Sequence, residues 1–174
     1  TISLSSDLII STIKEVGVQL SDMGFKRLIL LNAHGGQISL LNTAARELRS
    51  FAPNLSIFPC FLWSGVEGLS ELLPEKEIKN GLHASLAETS LMIALKPELV
   101  GNDRPYEVLE RQIPDGWSLE GNAPTAWLTK DLSISGVVGD SRGASESLGK
   151  DLKELLINHW FKLIMNMMQS DWPN

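Results

Sequence analysis

The feature that most constrains this chain is the run Arg27-Leu28-Ile29-Leu30-Leu31-Asn32. It is short, nearly unbroken in apolar character and closed by His34-Gly35-Gly36-Gln37. An alternating strand has one wet face, whereas an unbroken one is expected in a parallel sheet covered on both faces. The flanks agree. Before it, Ile9, Ile13, Val16, Leu20 and Met23 recur at helical spacing. Ser5 or Ser6 can cap that helix, Asp7 suits its positive end and Gly24 stops it. After the run, a second helix carries Ile38, Leu41, Ala45 and Leu48 on one face, and Leu55–Phe61 follows as the next strand, weakened near its end by Pro59. Helix–strand–helix–strand order implies right-handed crossovers and an α/β fold with a parallel sheet.

Further along, residues 62–82 read as a loop with one short helix, broken at Pro74 and Gly81. Leu86–Leu95 reads as a buried helix ended before Pro97, and residues 97–132 as a long irregular stretch of the kind that is functional or packs in an assembly. Ser135–Asp140 is rich in turn residues. A last helix then runs to about Gln169, with Leu148, Leu152, Leu155 and Leu163 on its apolar face. At 174 residues the chain can bury one core. Its net charge of -6 argues against a nucleic-acid partner, and no apolar run is long enough to span a bilayer. The single Cys60 allows no internal disulfide, which suits a reducing cytoplasm.

There are three histidines, so each can be weighed. His34 follows the best strand, and ligands of open α/β sheets bind at the carboxyl ends of strands. Gly35 and Gly36 let the backbone approach a ligand closely, and the next helix start favours an anion or a developing oxyanion. The alternative is a tight turn with a surface histidine. His83 and Glu88 form a second constellation. Inside one helix they would stand about 140° apart, so they converge more easily if His83 belongs to the entering loop. Glu88, in a largely apolar helix, either binds a metal or pairs with a base or with solvent. Together the two are plausible Zn or Mn ligands, or an acid/base pair. His159 beside Trp160 reads as structural, and Cys60 as a small buried residue. Trp63, Trp117 and Trp127 can wall a pocket or pack in a core, and Trp172 belongs to the tail.

Asn32-Ala33-His34-Gly35-Gly36-Gln37 resembles the Asn-Gly-His-Gly-Gly-Asn motif of the creatininase (creatinine amidohydrolase) family. His83-Ala84-Ser85-Leu86-Ala87-Glu88-Thr89-Ser90 is similar to its His-Ala-Gly-x-x-Glu-Thr-Ser motif. Thr1–Ser5 resembles the segment before the family's mid-chain helix, and Gly136–Asp140 with Ala144 and Gly149 its C-terminal signature. The likeness covers about residues 1–150. It implies a three-layer α/β sandwich with a mostly parallel central sheet, one creatininase-like domain over residues 1–174, and a closed homo-oligomer. It implies that His34 and Glu88 bind a divalent metal, Zn or Mn with Fe as a further option. His83 would handle protons in catalysis, and Asn32, Gly35 and Gly36 would line the place of a small amide substrate. Creatinine, formamides and small peptides all occur as substrates among relatives.

The departures are informative. Creatininase proper has a metal-binding glutamate where this chain has Gly36, which puts creatinine itself in question. Ala33, Gln37 and Ser85 also differ, and Ser85 is expected to narrow the pocket. The family's remaining ligands lie upstream of its Thr-Ile-Ser segment. The expectation is therefore an N-terminally truncated sheet that retains no metal by itself, with Asp103, Asp115 and Asp140 as the loop carboxylates that could substitute. The leading reading is a metal-dependent amidohydrolase. Its rivals are a non-catalytic relative serving in assembly or ligand binding, and an anion-binding module built on the Gly35-Gly36 turn.

Overall fold

The computed structural model describes residues 3–107, 114–119 and 123–171. Thr1 and Ile2 of the opening motif, and Trp172, lie outside the described residues. The chain divides into two compact units, residues 1–65 with 162–174, and residues 66–161.

The first unit opens with helix α1 (Ser6–Asp22). Ser5 caps it, its hydroxyl accepting from Leu8 N at 3.3 Å. Gly24, at φ 92°, ends it. There Phe25 N donates to Leu20 O and Gly24 N to Ser21 O, the paired bonds that satisfy the last carbonyls of a helix. Strand β1 (Arg27–Asn32) follows with the predicted bounds, then a 3-10 turn (Gly35–Gln37), helix α2 (Ile38–Phe51) and strand β2 (Ser56–Phe61). The two strands pair in parallel, Arg27 against Ser56 through Asn32 against Phe61. The core gathers Leu48, Ala52 and Leu55, with Ile13, Val18, Leu28 and Ile57 packed around them.

Two expectations need correcting here. β1 is not covered on both faces: its residues are mostly half-buried and Leu31 is 53% exposed. β1 has one paired neighbour among the described residues, so less covers it than its apolar sequence suggested. Pro59 sits inside β2, opposite Leu30, rather than weakening its end. A proline is tolerated there because it forgoes only its own N–H, as on an edge strand.

The second unit replaces the single expected short helix with two, α3 (Leu69–Leu72) and α4 (Glu75–Asn80). Pro74 stands at the break between α3 and α4, in the N-cap position of α4, where its lack of an N–H costs nothing, and Gly81 follows the end of α4. Helix α5 (Leu86–Leu95) has the predicted bounds. The irregular stretch contains a 3-10 turn (Pro97–Leu99), strand β3 (Tyr106–Glu107) and helix α6 (Thr129–Leu132). Strand β4 (Gly139–Asp140) pairs antiparallel with β3. Helix α7 (Glu146–Gln169) buries Gly149, Leu152, Leu156 and Trp160. Leu152 and Leu156 are its buried leucines, while Leu155 is only half-buried. α5 and α7 approach closely at Gly149, where a Cβ would overlap the carbonyl of Ser90.

Candidate functional site

His34 stands two residues beyond β1 and is exposed. Its backbone is held by the buried Asn32: Nδ2 donates to His34 O at 2.8 Å, and Oδ1 accepts from His34 N at 3.0 Å. Both ends of the Asn32 amide thus pin the turn. The imidazole lies over Gly36, where a Cβ would come within 2.9 Å of Nε2. Gly36 therefore leaves room for the ring. The chain then tightens, with Gln37 N donating to His34 O at 3.2 Å, and enters α2.

His83 and Glu88 belong to the second unit. His83 precedes α5, the placement from which the pair converges more easily, and forms an antiparallel bridge with Val138. Val138 N donates to His83 O at 2.8 Å, and His83 N to Val138 O at 3.2 Å. Ala84 then turns left-handed at φ 48°, the one non-glycine residue of that kind among the described residues. Glu88, in the first turn of α5, accepts the Ala84 N–H with Oε2, while Thr89 Oγ1 donates to Ala84 O at 2.9 Å. Half-buried Glu88 thus uses one oxygen to hold the Ala84 backbone just ahead of α5.

Ser85 does not narrow a pocket as expected. It is buried, donating to Glu77 Oε2 at 2.6 Å and accepting from Asp140 N at 2.9 Å. Glu77 was missed by sequence reasoning, because a glutamate in a charged helical stretch carries no sign that it turns inward. Asp140, considered as a substitute ligand, is committed elsewhere: Arg142 Nε and Nη2 grip both its oxygens at 2.9 and 2.8 Å. Those bonds hold its carboxyl down at about 2. Arg142 in turn stacks on Tyr106, 3.9 Å from the ring centre.

His159 meets Trp160 edge-on, ring centres 5.4 Å apart. Cys60 is half-buried in β2, and burial pushes its thiol up. Trp127 donates to Leu119 O at 3.0 Å, Trp63 is half-buried and Trp117 is exposed. A cavity of about 430 Å³ between α2 and β2 touches none of the candidate residues.

Imidazole and carboxylate are donors that Zn and Mn accept. Among the described residues, however, no three His, Cys, Asp or Glu side chains gather into a group that could hold a metal ion. The donor types fit a divalent ion; their number does not complete a site.

The profile of the creatininase family, described as creatinine amidohydrolase, matches residues 1–164, a span that includes His34, His83 and Glu88. The chain belongs to the creatininase family. A creatinine amidohydrolase of Pseudomonas putida is 30% identical over 113 residues, 60% of this chain and 44% of that protein. The match thus spans less than half the length of that relative. A mutant creatininase of the Zn-Zn type shares the fold at a TM-score of 0.74 and 23% identity, over 98% of this chain and 67% of that one. A manganese creatininase does so at 0.71 and 22% identity, over the same shares of each chain. The creatininase fold agrees with the α/β class and parallel sheet expected from the order of elements, and with the family expected from the motifs.

Proposed function

We propose that this chain carries part of the active site of a metal-dependent amidohydrolase that cleaves the C–N bond of a small cyclic or linear amide. The observation that carries the reading is the creatininase match across both the His34 and the His83–Glu88 motifs. In this reading His34 and Glu88 each give one ligand to a divalent ion, Zn or Mn, in a set these residues do not fill alone. Such an ion, when bound, supplies Lewis acidity and a lowered pKa for water. Asn32 orients His34 through its backbone, and Gly36 gives the ring its space. Gly35 and Gly36 keep the approach to the strand end open for the amide. His83 holds a proton and delivers it to the departing nitrogen as water oxygen bonds to the carbonyl carbon and the C–N bond breaks. The same reading takes residues 1–174 as one creatininase-type domain, working in the cytoplasm within a homo-oligomer.

The test separates ligands from the proton donor. His34→Ala and Glu88→Ala should each lower Zn or Mn content, measured by elemental analysis, in the longest form of the protein that hydrolyses an amide. Glu88→Gln keeps the size and removes the charge, and should do the same. His83→Ala should keep the metal and lower kcat more than it changes KM. Full metal content in the His34 or Glu88 variant removes that residue from the ligand set, and metal loss in His83→Ala makes His83 a ligand instead.

A further inference from the structure

The segment from His83 to Glu88 is an awkward piece of chain. Ala84 holds a left-handed conformation that an L-residue with a Cβ adopts only when its surroundings over-determine it. Glu88 and Thr89 supply part of that constraint from within the segment. The rest comes from a carboxylate six residues before His83. Glu77 Oε1 accepts from Ala87 N at 2.9 Å, and Oε2 accepts the Ser85 hydroxyl at 2.6 Å. Ser85 Oγ also takes the Asp140 N–H, so one buried hydroxyl ties α4, the start of α5 and β4 together.

We propose that Glu77 and Ser85 are positioning residues that hold His83 and Glu88 in register for the chemistry assigned to them above, an inference that rests on that assignment. Two glycines make the space the network needs. A Cβ on Gly81 would come within 2.5 Å of the Glu77 carboxyl carbon, and one on Gly139 would overlap Ser85 Oγ. The Glu77 carboxylate also meets the positive end of α5, where a negative charge is favoured. Its neighbour Glu75 behaves differently, pairing with Lys79 at 2.6 Å on the exposed face of α4. The His83–Val138 bridge carries the same register from β4 to His83 itself. Glu77 touches neither candidate directly; it acts through the backbone of Ser85 to Ala87.

The three histidines make the test direct, because each imidazole gives a resolvable NMR signal. On the full chain without added metal, Glu77→Ala should shift or broaden the His83 signal and leave those of His34 and His159 in place. The Ala87 amide should exchange on the order of tenfold faster, as expected when a charged acceptor is withdrawn. Glu77→Gln can still accept from Ala87 and should recover part of the change, while Glu75→Ala should do nothing. If Glu77→Ala does not fold, Ser85→Ala decides, since it leaves the Glu77–Ala87 bond intact and should still move His83. An unmoved His83 signal in both Glu77→Gln and Ser85→Ala overturns the proposal, as does a collapse of all three signals in both. A second arm measures turnover with added Zn(II) or Mn(II) in the longest form of the protein that hydrolyses a small amide, where Glu77→Gln should lower kcat and spare KM. Unchanged kcat in that variant overturns the positioning role. Full metal content in both His34→Ala and Glu88→Ala, with the His83 response retained, overturns the functional reading instead.

Discussion

At the scale of single residues, the turn after β1 depends on one amide and one missing side chain. Asn32→Ala removes both bonds to His34 and leaves its backbone N–H and C=O to find water. It should destabilise the first unit by about 1–3 kcal/mol, seen as a lower Tm, because a part-buried pair of bonds is lost together. Gly36→Ala should act differently. Its methyl would press on His34 Nε2, so the ring must swing away, and metal affinity should fall more than stability does. A pH test follows from Asp140, whose carboxyl is held at about 2 against an ordinary 3.8 by hydrogen bonds from Arg142. A depressed carboxylate contributes stability above its unfolded value, and the contribution fades as pH falls from about 3.8 through 2. The effect is modest, since Arg142 stands largely in solvent. Arg142→Ala should return the Asp140 carboxyl toward 3.8 in a carbon NMR titration and flatten that stretch of the acid-unfolding curve.

Among elements, two helix contacts rest on glycine and should respond unequally to alanine. In Gly17→Ala the new methyl meets the Leu48 side chain in the α1–α2 contact, and a side chain can rotate aside. In Gly149→Ala it meets the Ser90 carbonyl in the α5–α7 contact, and backbone cannot. Overpacking of this kind costs about 1–3 kcal/mol, and the alanine at 149 should lie at the upper end. Thermal unfolding of the two variants side by side checks the order. Because α5 begins with the Glu88 segment, Gly149→Ala should also disturb His83 in NMR spectra, whereas Gly17→Ala should not.

For the molecule as a whole, metal uptake is a matter of counting. A catalytic zinc site takes about three protein ligands. The described residues gather no such group, and Glu88 already spends one oxygen on Ala84. The 174-residue chain should therefore bind Zn(II) or Mn(II) weakly and lose it on dialysis. Stoichiometric metal retained through dialysis would defeat that count. Assembly is open to a simpler measurement: the exposed Trp117, Leu31 and Phe51 leave apolar surface that a second copy can cover. Light scattering at high concentration should report more than a monomer, and a monomer throughout rejects the homo-oligomer.

What the order of residues determined by itself was local and periodic. The bounds of β1, α5 and the end of α7 could be read in advance, because an apolar run, a helical repeat and a proline act over a few residues. His34, His83 and Glu88 could be named from motif order, and the place of His83 before α5 from the geometry of a helix. What only the tertiary structure decided were pairings between distant positions. Nothing near Glu77 in sequence says that its carboxylate turns toward Ser85 and Ala87, and nothing near Gly149 that Ser90 fills the space beside it. Periodicity records which face of an element is apolar. Which atoms meet that face is set by packing at near-solid density, where the loss or gain of one methyl is felt.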